Sequence, residues 1–184
     1  LGARSFYAQR PILAPEDLSG LKVRTMGSAI AIEMMQALGG SATPMPYGEI
    51  YTALQQNVID GAENNVGALT LSRHGEVAKH YSLDEHIRAP DVLVISTEVW
   101  DTLAPDHQAL LHEVIRSAVA WQREAWAEME AREFEAAAKL GVQVHTPNRE
   151  AFRARVLSIH REVSGRGDDY RELVDALNEA GSAP

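Results

Sequence analysis

Cysteine is absent from these 184 residues. That excludes disulfides, thiolate metal sites and a cysteine nucleophile, and it leaves the redox compartment open. No apolar run approaches the roughly 18–20 residues of a membrane-spanning helix. Positive charge is in deficit: 17 Lys and Arg stand against 26 Asp and Glu, for a formal net charge of −9. Phosphate recognition needs a basic face, so nucleic acid is not the expected partner. One or two buried arginines would still set a local field suited to a small anion. There is no GxGxxG, no Walker loop, no GxSxG and no HExxH, so no cofactor is expected and nothing resembles a nucleophile with its base. The chain also lacks an initiating methionine and a basic-then-apolar leader. Arg4, Phe6, Tyr7 and Ile12 already read as structured residues, so the chain is expected to start in the middle of a fold.

What is present is an ordinary globular balance of 45% apolar and 23% charged residues. SFYAQRP reads as extended, and Pro15 to Leu18 as a helical turn stopped by Gly20. LKVRT alternates as a strand, with Leu21 and Val23 on one face and Arg24 on the other. Ser28 caps a helix to Leu38 whose stripe is Ile30, Met34, Met35 and Leu38. Ala42 to Met45 is extended, and a second helix follows Gly48-Glu49 with Ile50, Leu54 and Tyr51 buried. Val58 to Ala62 reads as a short strand ending in an Asp60-Gly61 turn, then a helix near Leu69 to Lys79. HIRAPDVLVIST reads as a strand bent at Pro90. Pro105 to Leu140 contains no interior proline or glycine and forms a helix on the order of 50 Å long, a spine fit to bridge two lobes. Residues 142–146 form a strand, Asn148 caps a helix through Val163, and a last helix spans 169–180. Strands alternating with helices predict an α/β sheet covered on both faces.

Most chemistry-bearing clusters read as structural. His74, His80 and His86 are six apart and His107 and His112 five apart, which suits neither one helix face nor a metal-ligand spacing. The glutamates of the long helix, interleaved with Arg116, Arg123, Arg132 and Lys139, read as a solvated, ion-paired face. Trp121, Trp126 and Phe134 read as packing residues. Arg24 is different, because it interrupts an apolar strand. It either pairs with Glu49 or Asp60, or offers its fork to a carboxylate in two parallel hydrogen bonds. Arg4 is a candidate second cation, Tyr47 an aromatic wall, and Asn64 with Glu63 an amide and acid cluster.

The strings PEDLSGLKVRTM, GGSATPMPYGEIYTALQQNVIDGAENN and HGEVAKHYSLDEH closely resemble the solute-binding proteins of TRAP (tripartite ATP-independent periplasmic) transporters, the DctP family. The similarity runs from about Arg4 to the helix after Val144. It implies a two-lobed α/β periplasmic receptor that closes on a small organic acid and delivers it to a membrane permease, without catalysis. It also implies a monomer, with no metal and no cofactor. By position, Arg24 is the family's carboxylate-binding arginine, Arg4 its assistant and Tyr47 the aromatic beside the ligand. Asn64 hydrogen-bonds the ligand with Glu63 beside it, and His86 lies near the cleft. ENN, with Asn65 where proline is common, looks more like the sugar-acid (uronate) binders than the C4-dicarboxylate ones. Thr25-Met26-Gly27 replaces the usual Val-Pro. The family's size implies that most of the N-terminal lobe is missing. Residues 1–88 would then open the ligand-binding second lobe, and 89–129 would return into the first lobe and start the spanning helix. Residues 130–184 would close the second lobe. A C4-dicarboxylate or other monocarboxylate ligand, or a ligand-sensing module on the same scaffold, are the alternative readings.

Overall fold

The structure, a computed structural model, describes residues 2–88 and 90–181. The chain opens with β1 (Arg4–Ala8), a 3-10 turn at Pro15–Leu18, β2 (Lys22–Thr25), α1 (Ala29–Ala37) and β3 (Ser41–Pro44). A 3-10 turn at Tyr47–Glu49 leads into α2 (Ile50–Gln55), followed by β4 (Gly61–Asn64), α3 (Gly67–Thr70) and β5 (His80–Ile87). Then come α4 (Thr97–Asp101), α5 (Pro105–Lys139), β6 (Gln143–His145), α6 (Arg149–Ser164) and α7 (Asp168–Gly181).

The six strands form one mixed sheet in the order β3-β2-β4-β1-β5-β6. Strand β2 runs parallel to β3 and β4, and β5 parallel to β6. Between these groups β1 runs antiparallel to both neighbours. Ser5, Phe6, Tyr7 and Ala8 are all buried, as a strand covered on both faces requires. Phe6 and Ala8 join Val23, Met35, Leu38 and Phe152 in a core under α1 and α6. Tyr7 joins Ile50, Leu54, Ala62, Leu69, Tyr81 and Ala137 in a second core under α2, α3 and the end of α5. Each large apolar side chain so enclosed contributes roughly 1.5–3 kcal/mol. The pleat thus sorts neighbouring residues onto two sides of one sheet, and this sorting decides where each candidate residue lies.

Several local expectations change. The stripe of α1 uses Ala31 in place of Ile30, which is exposed, and Tyr51 is only half-buried. Asp60-Gly61 makes no turn; it enters β4, because a Cβ on Gly61 would stand 2.8 Å from the Tyr7 carbonyl oxygen. Glycine here lets β1 and β4 pair closely. The helix expected over 69–79 is broken after Thr70. Arg73 takes a left-handed φ of +61°, and only a 3-10 turn follows at His74–Glu76. The bent strand is half right: β5 ends at Ile87 and residues 91–96 join no strand, while Ala89 lies outside the described residues. Helix α5 matches its expected span, yet among the described residues its charges form no salt bridge, and Trp121 faces solvent. Long exposed side chains lose more entropy than such pairs return, which accounts for a solvated but unpaired face. Asn148 does cap α6, its side-chain oxygen accepting from the Glu150 amide at 3.1 Å.

Candidate functional site

Arg24 follows Val23 on β2, so its side chain leaves the sheet on the side of Tyr7 and Ala62. The residue is 5% exposed. Its Nε and Nη2 both donate to the Met45 carbonyl, at 3.1 and 3.0 Å. That anchors one edge of the guanidinium and leaves the Nη1/Nη2 edge, the fork that matches a carboxylate, without a partner among the described residues. Neither expected acid takes it: Asp60 instead accepts from the Lys22 amide at 2.8 Å. An enclosed cation with no counter-ion is costly to keep, unless an anion arrives to share the site.

Tyr47 stands beside it, with the Arg24 Cζ 5.9 Å from its ring centroid, within cation–π range. The Tyr47 hydroxyl meets Ser72 Oγ at 2.7 Å, and its ring packs 5.5 Å from the ring of His74. His74 is 2% exposed, and its Nδ1 lies 2.7 Å from the Tyr7 hydroxyl. Burial, with the Arg24 charge added, holds His74 down at about 4, so the ring is neutral at ordinary pH. Burial also pushes the Tyr7 phenol well up, so it keeps its proton.

Arg4 and Glu63 lie on the other side of the pleat. Arg4 Nε and Nη2 clasp the Glu63 carboxylate at 2.6 and 2.8 Å, and Nη2 also reaches the Glu63 carbonyl at 3.0 Å. Nη1 donates to Asn64 Oδ1 at 2.9 Å. Four of the five guanidinium N–H groups are thereby used. His86 stacks on Phe6 at 4.1 Å, donates from Nδ1 to Asp84 at 2.5 Å, and sets Nε2 3.7 Å from Glu63. Burial would lower the His86 pKa, but Asp84 and Glu63 outweigh it and push it up to about 9. Burial likewise opposes ionisation of Glu63, but the His86 charge close by and the bonds from Arg4 prevail and hold it below the ordinary carboxylate range. Two cations and two carboxylates therefore balance inside the fold.

Asn64 joins the two sides. Its Oδ1 accepts from Arg4 and from the Asn65 amide at 2.9 Å, which fixes the amide orientation. The Nδ2 donors are left without a partner among the described residues. Arg24, Tyr47 and Asn64 are thus placed on one side of the sheet, toward the C-terminal ends of the parallel strands β2 and β4, where open α/β sheets bind ligands. Glu63 and His86 are enclosed on the other side, with Arg4 holding Glu63 to Asn64. Sequence reasoning missed His74, Tyr7, Ser72 and the Met45 carbonyl. These gather through contacts spanning 21 to 67 positions, for which no local pattern exists.

The arrangement can seize a small carboxylate through a fork, an amide and an aromatic wall. Among the described residues no three His, Asp or Glu side chains converge to hold a metal. The fold is the α/β fold of periplasmic solute-binding proteins, of which it covers about 60%. The chain belongs to the DctP family, the bacterial extracellular solute-binding proteins of family 7, which matches residues 1–166. It is similar to a TRAP periplasmic solute-binding protein from Xanthobacter autotrophicus solved with bound β-D-galacturonate: 40% identity, TM-score 0.89, covering 96% of this chain and 59% of that one. A counterpart from Anaerococcus prevotii, solved with D-glucuronate, is 38% identical with TM-score 0.89, over 99% of this chain and 60% of that one. A solute-binding protein of Chromohalobacter salexigens is 35% identical over 183 residues, which is 98% of this chain and 54% of the relative. The chain spans about half the length of the curated relatives it matches.

Proposed function

We propose that these residues form the carboxylate-gripping lobe of an extracytoplasmic receptor for a sugar acid, with D-glucuronate or D-galacturonate as the class of ligand. The receptor works as a monomer, passes its ligand to a TRAP membrane permease, and catalyses nothing. The observation that carries this reading is the Arg24 fork, enclosed, anchored from behind by Met45 and lacking a counter-ion among the described residues. A uronate is heavily hydrated, so capture requires charge-assisted bonds that replace its water. Arg24 supplies the paired bonds, Asn64 Nδ2 supplies a further donor, and Tyr47 covers the sugar face. Arg4, Glu63 and His86 hold Asn64 in place, with one Nη1 N–H of Arg4 left over for the ligand. The uronates bound in similar receptors support the ligand class.

In this reading residues 1–88 and 130–184 build the gripping lobe, while 89–129 lead into and out of a second lobe that closes the cleft by a hinge. Calorimetry on the full-length gene product tests it. Arg24→Ala should abolish measurable uronate binding, and Arg24→Lys should recover little, because a point charge cannot make the paired bonds. Unchanged affinity in Arg24→Ala would refute the site.

A further inference from the structure

His74 is an enclosed polar side chain on the Arg24 side of the sheet that the reading above leaves without a task. The Tyr7 hydroxyl is fully buried and has His74 Nδ1 as its partner. A sealed hydroxyl must place its proton somewhere, and among the described residues Nδ1 is the acceptor in reach. Nδ1 is therefore unprotonated, and the ring's hydrogen sits on Nε2. That nitrogen has no hydrogen-bond partner among the described residues. It is also not one of the sealed unpartnered atoms, which are Thr25 Oγ1, His86 Nε2 and Trp126 Nε1. Nε2 is therefore the ring nitrogen left for a partner from outside the described residues, beside Tyr47 and within the field of Arg24.

We propose that His74 is a ligand-contacting, specificity-determining residue whose Nε2–H donates to an oxygen of the acid held on Arg24. Tyr7 acts behind it, fixing the tautomer so that Nε2 is always a donor. The inference rests on the carboxylate-receptor reading. It adds a third donor, of fixed polarity, to the Arg24 fork and the Asn64 amide. A neutral donor suits a hydroxyl or carboxylate oxygen and rejects a ligand that presents a donor at that point. Such a polar site discriminates strongly, because a mismatched ligand strands a buried group.

The test is calorimetry with D-glucuronate and D-galacturonate on the full-length gene product. The double variant Tyr7→Phe/His74→Phe keeps both rings and removes both polar partners, so neither is left stranded and the fold is retained. Its dissociation constant should rise roughly 10- to 100-fold, the loss of one donor to a charged or strongly polar oxygen. Its melting temperature without ligand should change little. His74→Gln, whose amide donates from near the Nε2 position, should recover part of the loss. In parallel, nitrogen-15 histidine spectra at neutral pH should show Nε2 protonated and Nδ1 bare, with the Nε2 signal shifting when glucuronate is added. Undiminished uronate affinity in the double variant, alongside lost affinity in Arg24→Ala, would overturn the role of His74 and leave the receptor intact. The opposite tautomer would overturn it as well. Failure of the unmodified protein to bind either uronate would sink both readings.

Discussion

Two histidines that look alike in the sequence are held in opposite protonation states, and the sheet between them is the cause. His86 sits among Asp84 and Glu63 and has a pKa of about 9; His74 sits near Arg24 and has one of about 4. The consequences for stability have opposite signs. A raised histidine stabilises the fold fully below its unfolded value of 6.5, and that contribution is lost as pH climbs toward 9. A lowered one contributes fully above 6.5 and loses its contribution as pH falls toward 4. Stability to urea should therefore peak near pH 6.5. The alkaline loss from His86 should be on the order of 3 kcal/mol. In His86→Gln the alkaline limb should flatten while the acid limb persists; equal limbs in both proteins would refute the assignment. At this scale the sequence was partly legible. Arg24 stood out as a charge on an apolar strand, and Tyr47 and Asn64 by motif. His74 was invisible, because its meaning comes from Tyr7, which lies 67 positions away in sequence on β1.

Elements with a local signal, such as a run free of proline and glycine or a capping side chain, were read well, since their residues interact with near neighbours. Helix α5 shows this, as does α6 with its Asn148 cap. The weak ones were misread where a tertiary approach overrides the local code. Asp60-Gly61 carries the dipeptide of a turn, yet it starts β4 because β1 runs too close for any side chain. Gly61→Ala should therefore cost about 1–3 kcal/mol, because the new Cβ meets backbone that can move only by bending two paired strands. Gly27 is the control: a Cβ there meets nothing within 4 Å. Gly27→Ala should be neutral or stabilising by about 0.4–1 kcal/mol, through loss of freedom in the unfolded chain. Urea midpoints of the two variants decide the matter. Equal midpoints would mean that Gly61 is a turn residue after all. The same logic explains the broken helix at 69–79, where Gly75 packs against Leu69 and Val142.

The whole molecule carries an apolar surface that its own fold leaves uncovered. Val92, Leu93 and Val94 are 75–83% exposed in succession, and Leu110, Val114 and Trp121 of α5 are exposed too. Those three fall within about 40° of one another around the helix, so they form a single stripe. The stripe lies on the stretch of α5 before the part that packs on the rest of the fold, which runs from Trp126 to Ala137 among the described residues. Apolar surface of that extent on a folded protein marks an interface. Under the receptor reading its occupant is the other lobe, and residues 89–129 are the segment that enters it. The 184 residues alone should therefore bind a hydrophobic dye and self-associate in sedimentation. Under the same reading a polypeptide that carries both lobes should sediment as a monomer and bind little dye. Leu93→Glu/Trp121→Glu in the shorter polypeptide should suppress both effects, because each replacement sets a charge on the stripe. A shorter polypeptide that stays monomeric and dye-free would show that this face needs no cover, and the division into two lobes would fall with it.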